Sequence, residues 1–179
     1  MIFAGIDYSM TCPSIAIGSK EGDQVDFYFR TEKAKFALSF CDKQFNFHGS
    51  LAPIWSSPME RFESNASWAL QLLVRNNVQK IFLEGYSYGS KNGRAFEIAE
   101  NTALLKYMVH SVGIQYEPIA PTTVKAFAGS GRADKFMMEQ YFYDLTKVDV
   151  RGLLGQSAKS TSPSGDIIDS YFLLKCGIS

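Results

Sequence analysis

Residues 1–31, MIFAGIDYSMTCPSIAIGSKEGDQVDFYFRT, decide the fold. The run IFAGIDYS is apolar up to Asp7, PSIAIGS follows after the short MTC segment, EGD makes a turn, and QVDFYFRT alternates apolar with polar residues. Such runs bounded by turn residues predict three strands. Their connections are too short for crossovers, so the strands are expected to pair antiparallel. Asp7 closes the first of them, although aspartate is depleted in strands.

Outward from this hairpin, residues 31–56 show no clean periodicity and read either as an extension of the sheet or as a surface loop. Ser57, Pro58 and Glu60 form an N-cap, a first-position proline and a capping-box acid. They open a helix whose apolar face is Phe62, Ala66, Ala69 and Leu73 and which ends near Asn76 and Asn77. The next strand is VQKIFLEGYS, with Glu84 near its end. After the loop YGSKNGR, a helix from about Ala95 to Val112 is expected to bury Ile98, Leu105, Met108 and Val112. A short strand, GIQYEPIAP, precedes a helical turn, a Gly-Ser-Gly break and another helix. Residues 147–163 are rich in glycine and serine and predict a mobile loop; a last helix runs from about Gly165.

Three antiparallel strands followed by strands that alternate with helices predict an α/β protein, a mixed sheet flanked by helices. Residues 1–179 fit one domain of this kind, with no internal repeat and no linker.

Composition narrows the chemistry. No stretch of about 18 apolar residues occurs, so no span is expected. The N-terminus lacks a signal-peptide pattern and reads as a strand, which favours the cytoplasm. The three cysteines, Cys12, Cys41 and Cys176, have no CxxC spacing, which argues against a zinc site or disulfide framework. The two histidines, His48 and His110, lie far apart and read as structural or surface residues. Any catalysis is therefore carboxylate chemistry. A net charge of +0 is not that of a strongly basic nucleic-acid binder, but four clustered acids would themselves need offsetting charge elsewhere.

Four acids stand out: Asp7 and Glu84 at strand ends, and Asp166 and Asp169 at i, i+3 spacing in SPSGDIIDSYFLL. In a sheet of this class, ligands bind in the crevice beyond the strand ends, and i, i+3 residues share a helix face. Each acid also has an ordinary reading: a turn cap for Asp7, a surface acid for Glu84, and dipole-complementing charge at a helix start for the pair. Brought together, they are the donor set that hard Mg²⁺ prefers. Two such ions can activate water, stabilise the phosphate and support the leaving 3′-oxygen of a phosphodiester. The expectation is a metal-dependent nuclease, with Asp7 shared between the ions.

Four segments resemble the RuvC-type Holliday-junction resolvases of the ribonuclease H-like superfamily. GIDYSMTCPSIAI is similar to their first hairpin with its leading aspartate, and IFLEGYSYGS to the strand carrying the second acid. PTTVKAFAGSGRADKFMM resembles their lysine-containing segment, and GDIIDSYFLL their last helix with two aspartates. The chain departs from the family in YSMTCP, where a glycine-containing hairpin is usual. The resemblance implies a ribonuclease H-like sheet, Mg²⁺ or Mn²⁺ with two ions per site, and a homodimer that nicks opposed strands of a four-way DNA junction. It implies that Asp7, Glu84, Asp166 and Asp169 are metal ligands and that Lys125 and Lys135 lie near DNA or the scissile phosphate. Lys91, Arg94 and Arg132 are further candidates for phosphate contacts, and Tyr86 and Tyr88 for stacking on an unpaired base. The alternatives are a nuclease of the same fold acting on another branched DNA or on RNA, a non-catalytic DNA-binding module, and an ATP-binding fold, for which 179 residues are too few.

Overall fold

A computed structural model of the protein describes residues 1–85 and 95–179. Its strands form one seven-stranded sheet in the order β4-β5-β3-β2-β1-β6-β7. The three early strands are β1 (Ile2–Asp7), β2 (Ser14–Ser19) and β3 (Val25–Thr31), paired antiparallel in sequence order. On the other side of β1, β6 (Lys80–Glu84) and β7 (Gln115–Ile119) add parallel strands. The sheet is thus mixed, with its three antiparallel strands followed by parallel ones, as expected.

Residues 31–56 extend the sheet rather than loop over it. β5 (Phe45–Leu51) runs parallel to β3, and β4 (Ser39–Asp42) pairs antiparallel with β5 as the edge strand. Phe45 and Phe47 point from β5 into the core beside Phe27, whose ring lies 4.9 Å from that of Phe47. The hairpin turn carries Lys43 with a positive φ of 54°, and its ammonium caps the end of a distant helix by donating to Lys147 O at 2.6 Å.

Two helical layers cover the sheet. Ala4, Ile6, Ile15, Ile17, Ile81 and Leu83 face α1 (Pro58–Arg75) and α2 (Ala95–Ser111). Phe27, Phe29 and Phe82 face the side of α4 (Lys135–Thr146) and α6 (Ser164–Ile178). α3 (Pro121–Ala128) joins this second layer through Val124. α6 lies directly on β1 at Gly5, where an added Cβ would come within 2.2 Å of Leu174 N and 2.3 Å of Ser170 O.

The α1 cap forms at Ser57, whose hydroxyl accepts from Glu60 N at 3.2 Å, but the Glu60 carboxylate reaches back to Ser56 N at 2.7 Å, one residue beyond the usual capping box. Phe62, Ala66, Ala69 and Leu73 are all buried. The α2 face differs from expectation. Asn101, Thr102, Leu105 and Val109 are buried, whereas Ile98 and Val112 are exposed. Two polar residues occupy the inward stripe, so hydrophobicity alone sets the face wrongly.

Residues 147–163 are also more structured than their composition predicts. They contain α5 (Val150–Leu153), capped by Asp149, whose carboxylate accepts from Gly152 N at 2.9 Å. The remainder is held by side chains rather than by periodic backbone bonds. Among the described residues, no helix is long and apolar enough to cross a membrane.

Candidate active site

β1 and β6 run parallel with Ile6 opposite Leu83, so Asp7 and Glu84 end adjacent strands one step further along. Successive side chains on a strand alternate between faces. Ile6 and Leu83 turn toward α1 and α2, and the next residue on each strand therefore turns the opposite way. Asp7 and Glu84 share the face and the sheet edge to which α6 brings its first turns.

α6 presents Asp166 and Asp169 on one side, and a single lysine records their proximity. Lys135 Nζ, from the start of α4, donates to Asp166 Oδ1 at 2.7 Å and lies 3.3 Å from Asp169 Oδ2. The side chain of Lys135 passes over Gly165, where an added Cβ would stand 3.0 Å from Lys135 Cδ. The Ser162 hydroxyl takes the other oxygen of Asp166 by donating to Oδ2.

The electrostatics follow from this crowding. Burial pushes the Asp7 carboxyl well above the usual aspartate range, and Asp166, Asp169 and Glu84 push it in the same direction against the pull of Lys135. Asp169 is raised by burial despite Lys135. Glu84 is more solvent-exposed than the aspartates, yet the protein around its carboxyl and the charge of Asp169 raise it too, while Lys135 and Lys125 oppose the shift. Lys135 is raised: burial disfavours its charge, but Asp7, Asp166 and Asp169 together outweigh that cost. All four predicted acids thus feel one another, and both predicted lysines feel the acids.

The donor set suits a hard dication: carboxylate oxygens, with excess negative charge held in a partly dry setting. As the side chains stand, no three His, Cys, Asp or Glu residues among those described converge closely enough to grip one ion. Lys135 sits where it satisfies two of the acids, so an ion there would have to take over contacts that the ammonium now makes. Cys12 is buried beside this centre, where burial first, then Asp166, holds its thiol far above the usual range.

The other sequence candidates divide. Lys125 lies on α3, close enough to act on Glu84 and Asp169. Arg132 lies in the turn before α4, its N–H 3.4 Å from Ser130 Oγ. Tyr86, Tyr88, Lys91 and Arg94 lie outside the described residues.

Sequence reading missed the supports of the site. Arg61 of α1 donates through Nε and Nη2 to Met10 O at 2.9 and 2.7 Å, fastening the loop that follows Asp7. The same guanidinium meets Glu32 at 3.1 Å and lies 5.0 Å from the Trp55 ring centroid. Ser162 and the network behind it are the counterpart at α6. Arg61 had no local signal because it acts across 51 residues, and the Ser162 network had none because it has no periodic pattern.

No protein-family model matches the chain, and no curated protein sequence matches it significantly. Solved structures do match over nearly its whole length. The Thermus thermophilus RuvC structure aligns with a TM-score of 0.62 at 20% identity, covering 98% of this chain and 92% of that one. The yeast mitochondrial Holliday junction resolvase Ydc2 aligns at 0.62 and 12% identity, covering 98% and 77%. The Fowlpox virus resolvase, solved with substrate Holliday junction DNA, aligns at 0.54 and 16% identity, covering 99% and 97%. With its mixed sheet, its helical layers and this near-complete superposition, the chain has the ribonuclease H-like fold of the RuvC-type Holliday-junction resolvases.

Proposed function

We propose that the protein is a metal-dependent endonuclease that resolves four-way DNA junctions by paired, symmetric nicks. The observation that carries this reading is the meeting of acids from β1, β6 and α6 at one sheet edge, with two lysines acting on them. The solved structures of like fold support the substrate class, since one of them, the Fowlpox virus resolvase, was solved with substrate Holliday junction DNA.

Asp7, Glu84, Asp166 and Asp169 would hold two Mg²⁺ ions, with Mn²⁺ as a substitute. When bound, these supply an activated water and charge stabilisation at the phosphate and the leaving oxygen. Asp7 is the natural shared ligand, because each of the other three acids acts on it. Lys135, which now pairs with Asp166 and Asp169, would with ions bound be free to pair with a phosphate oxygen, and Lys125 acts on Glu84 and Asp169 from α3. Arg132, Lys91 and Arg94 would contact the DNA backbone, and Tyr86 and Tyr88 would stack on bases opened at the junction.

Paired nicks require two sites, hence a homodimer. Support for pairing comes from α2, whose outward face carries Phe96 and Tyr107 at 81% and 70% exposure with Ala103 between them.

The test is incubation of the purified protein with a labelled immobile junction, a flap, linear duplex and RNA, in Mg²⁺, Mn²⁺ or EDTA, beside Asp7→Asn. Symmetric junction nicks lost in EDTA and in the variant are the expected result. Cleavage confined to the flap or to RNA would keep the chemistry and reject the substrate. No metal-dependent cleavage at all would overturn the reading.

A further inference from the structure

We infer that Ser162 is the positioning residue of the Asp166 carboxylate, and that the loop between α5 and α6 exists to hold it there, braced by Arg151 and Glu139. The inference rests on the proposed metal site and extends it from the four acids to the groups that orient one of them.

The bonds form a continuous chain. Arg151 donates from Nε and Nη2 to Glu139 Oε2 and Oε1 at 2.8 and 2.7 Å, a forked pair in which both side chains are largely buried. Its remaining nitrogen, Nη1, donates to Ser157 O at 2.6 Å and to Ser160 O. One guanidinium therefore fixes two turns of the loop to α4. Glu139 Oε1 also accepts from the Ser164 hydroxyl at 2.6 Å, which ties the first residue of α6 to the same carboxylate. Gln156 completes the frame: its amide donates to Ser160 O at 2.7 Å, and its oxygen accepts from Ser164 N at 3.0 Å.

That last bond has a further meaning. Pro163, the N-cap position of α6, makes no side-chain cap bond, so the helix start is capped from outside by Gln156. Ser160 then donates to Ser162 O at 2.9 Å, and the Ser162 hydroxyl donates to Asp166 Oδ2. Every member of the loop that makes a side-chain bond in this frame leads to the first turn of α6.

The division of labour at Asp166 follows from its two oxygens. Oδ1 meets Lys135, which an ion held there would replace, and Oδ2 meets Ser162, whose bond would remain. A hydroxyl that holds the outer oxygen fixes the direction in which the inner one points. Removing such an outer partner from a metal ligand lowers metal affinity by about 10- to 100-fold. Glu139, Arg151 and Gln156 belong to this support and not to the reacting centre, since none of them touches an acid of the cluster in the structure.

The experiment is calorimetric titration of Mn²⁺ into the wild-type protein, Ser162→Ala, Ser162→Thr and Arg151→Lys, without DNA, beside circular dichroism of each. The expected result is Mn²⁺ affinity about tenfold weaker in Ser162→Ala and restored by Ser162→Thr. Arg151→Lys, which keeps the charge but loses the fork, should weaken binding as Ser162→Ala does while the spectrum stays native. Equal affinity in wild type and Ser162→Ala would overturn the inference and leave the nuclease reading standing. A folded wild-type protein that takes up no Mn²⁺ would instead defeat the nuclease reading on which the inference rests.

Discussion

Lys135 Nζ lies 2.7 Å from Asp166 Oδ1, and the same ammonium reaches Asp169, so one cation spans the two acids of α6. Removing it leaves a crowded set of carboxylates without its nearest counter-charge. Breaking a fully buried pair costs about 3–5 kcal/mol. Lys135 is 39% exposed, so water screens part of the loss and the expected cost of Lys135→Met is about 1–2 kcal/mol. Thermal melting in EDTA should fall by about 2–8 °C. Added Mn²⁺ should raise the melting point more in the variant than in wild type, because the ion no longer competes with the ammonium.

The acid cluster makes stability depend on pH in a stated direction. Asp7, Asp169 and Glu84 are raised in the folded protein, first by burial. Folding therefore favours their protonated forms. Their contribution is fully present below the ordinary carboxylate range, near pH 4, and is lost as pH rises through the raised folded values. Lys135 is also raised, and its contribution is lost only as pH climbs through its folded value, above the ordinary lysine range. It does not offset the trend near neutrality. Melting of wild type and Asp7→Asn in EDTA across pH 4–8 checks this. The variant should gain on the wild type as pH rises, and parallel curves would refute the assignment.

Gly5 sets the distance between β1 and α6. A Cβ there would meet backbone atoms of Leu174 and Ser170, and backbone cannot turn aside as a side chain can. Overpacking costs about 1–3 kcal/mol where side chains can adjust, so Gly5→Ala should fall at or beyond the upper end. Gly18→Ala, where the nearest atoms stand 3.3 Å away, should cost much less. Because α6 carries two of the acids and β1 a third, the surviving folded fraction of Gly5→Ala should also bind Mn²⁺ weakly. Chemical denaturation and metal titration of the two variants make the comparison.

Lys125 acts on Glu84 and Asp169 without a direct ion pair to either, and its proposed role is toward phosphate. Lys125→Ala should weaken junction binding by a similar factor for every junction sequence. It should also lower the slope of log affinity against log salt by about one. Binding measured at several salt concentrations in Ca²⁺ reads both quantities, and a sequence-dependent loss would place Lys125 on bases instead.

What could be read in advance depended on whether a feature had a local cause. Asp7 and Glu84 each end an apolar run, and Asp166 and Asp169 fall three apart in a helix, so their positions followed from periodicity. The β4–β5 extension did not, because β5 joins the sheet through a parallel pairing with β3 that no local turn announces, even though its hairpin with β4 is local. On α2, Asn101 and Thr102 take the inward stripe, which no hydrophobic pattern reveals. The loop before α6 reads as featureless because its order comes from Arg151 and Glu139, whose partners lie on other elements or several residues away.

The acids that meet at the sheet edge come from opposite ends of this stretch of chain: Asp7 from its first strand, Asp169 from its last helix. A ribosome making it releases Asp7 early and Asp169 near the end, and β1 stays open on its α6 face in between. Partial translation products therefore cannot assemble the four-acid centre, whatever else they fold. On the proposed reading, activity against DNA arises only with the completed stretch, so the order of synthesis itself withholds the four-acid centre from unfinished chains.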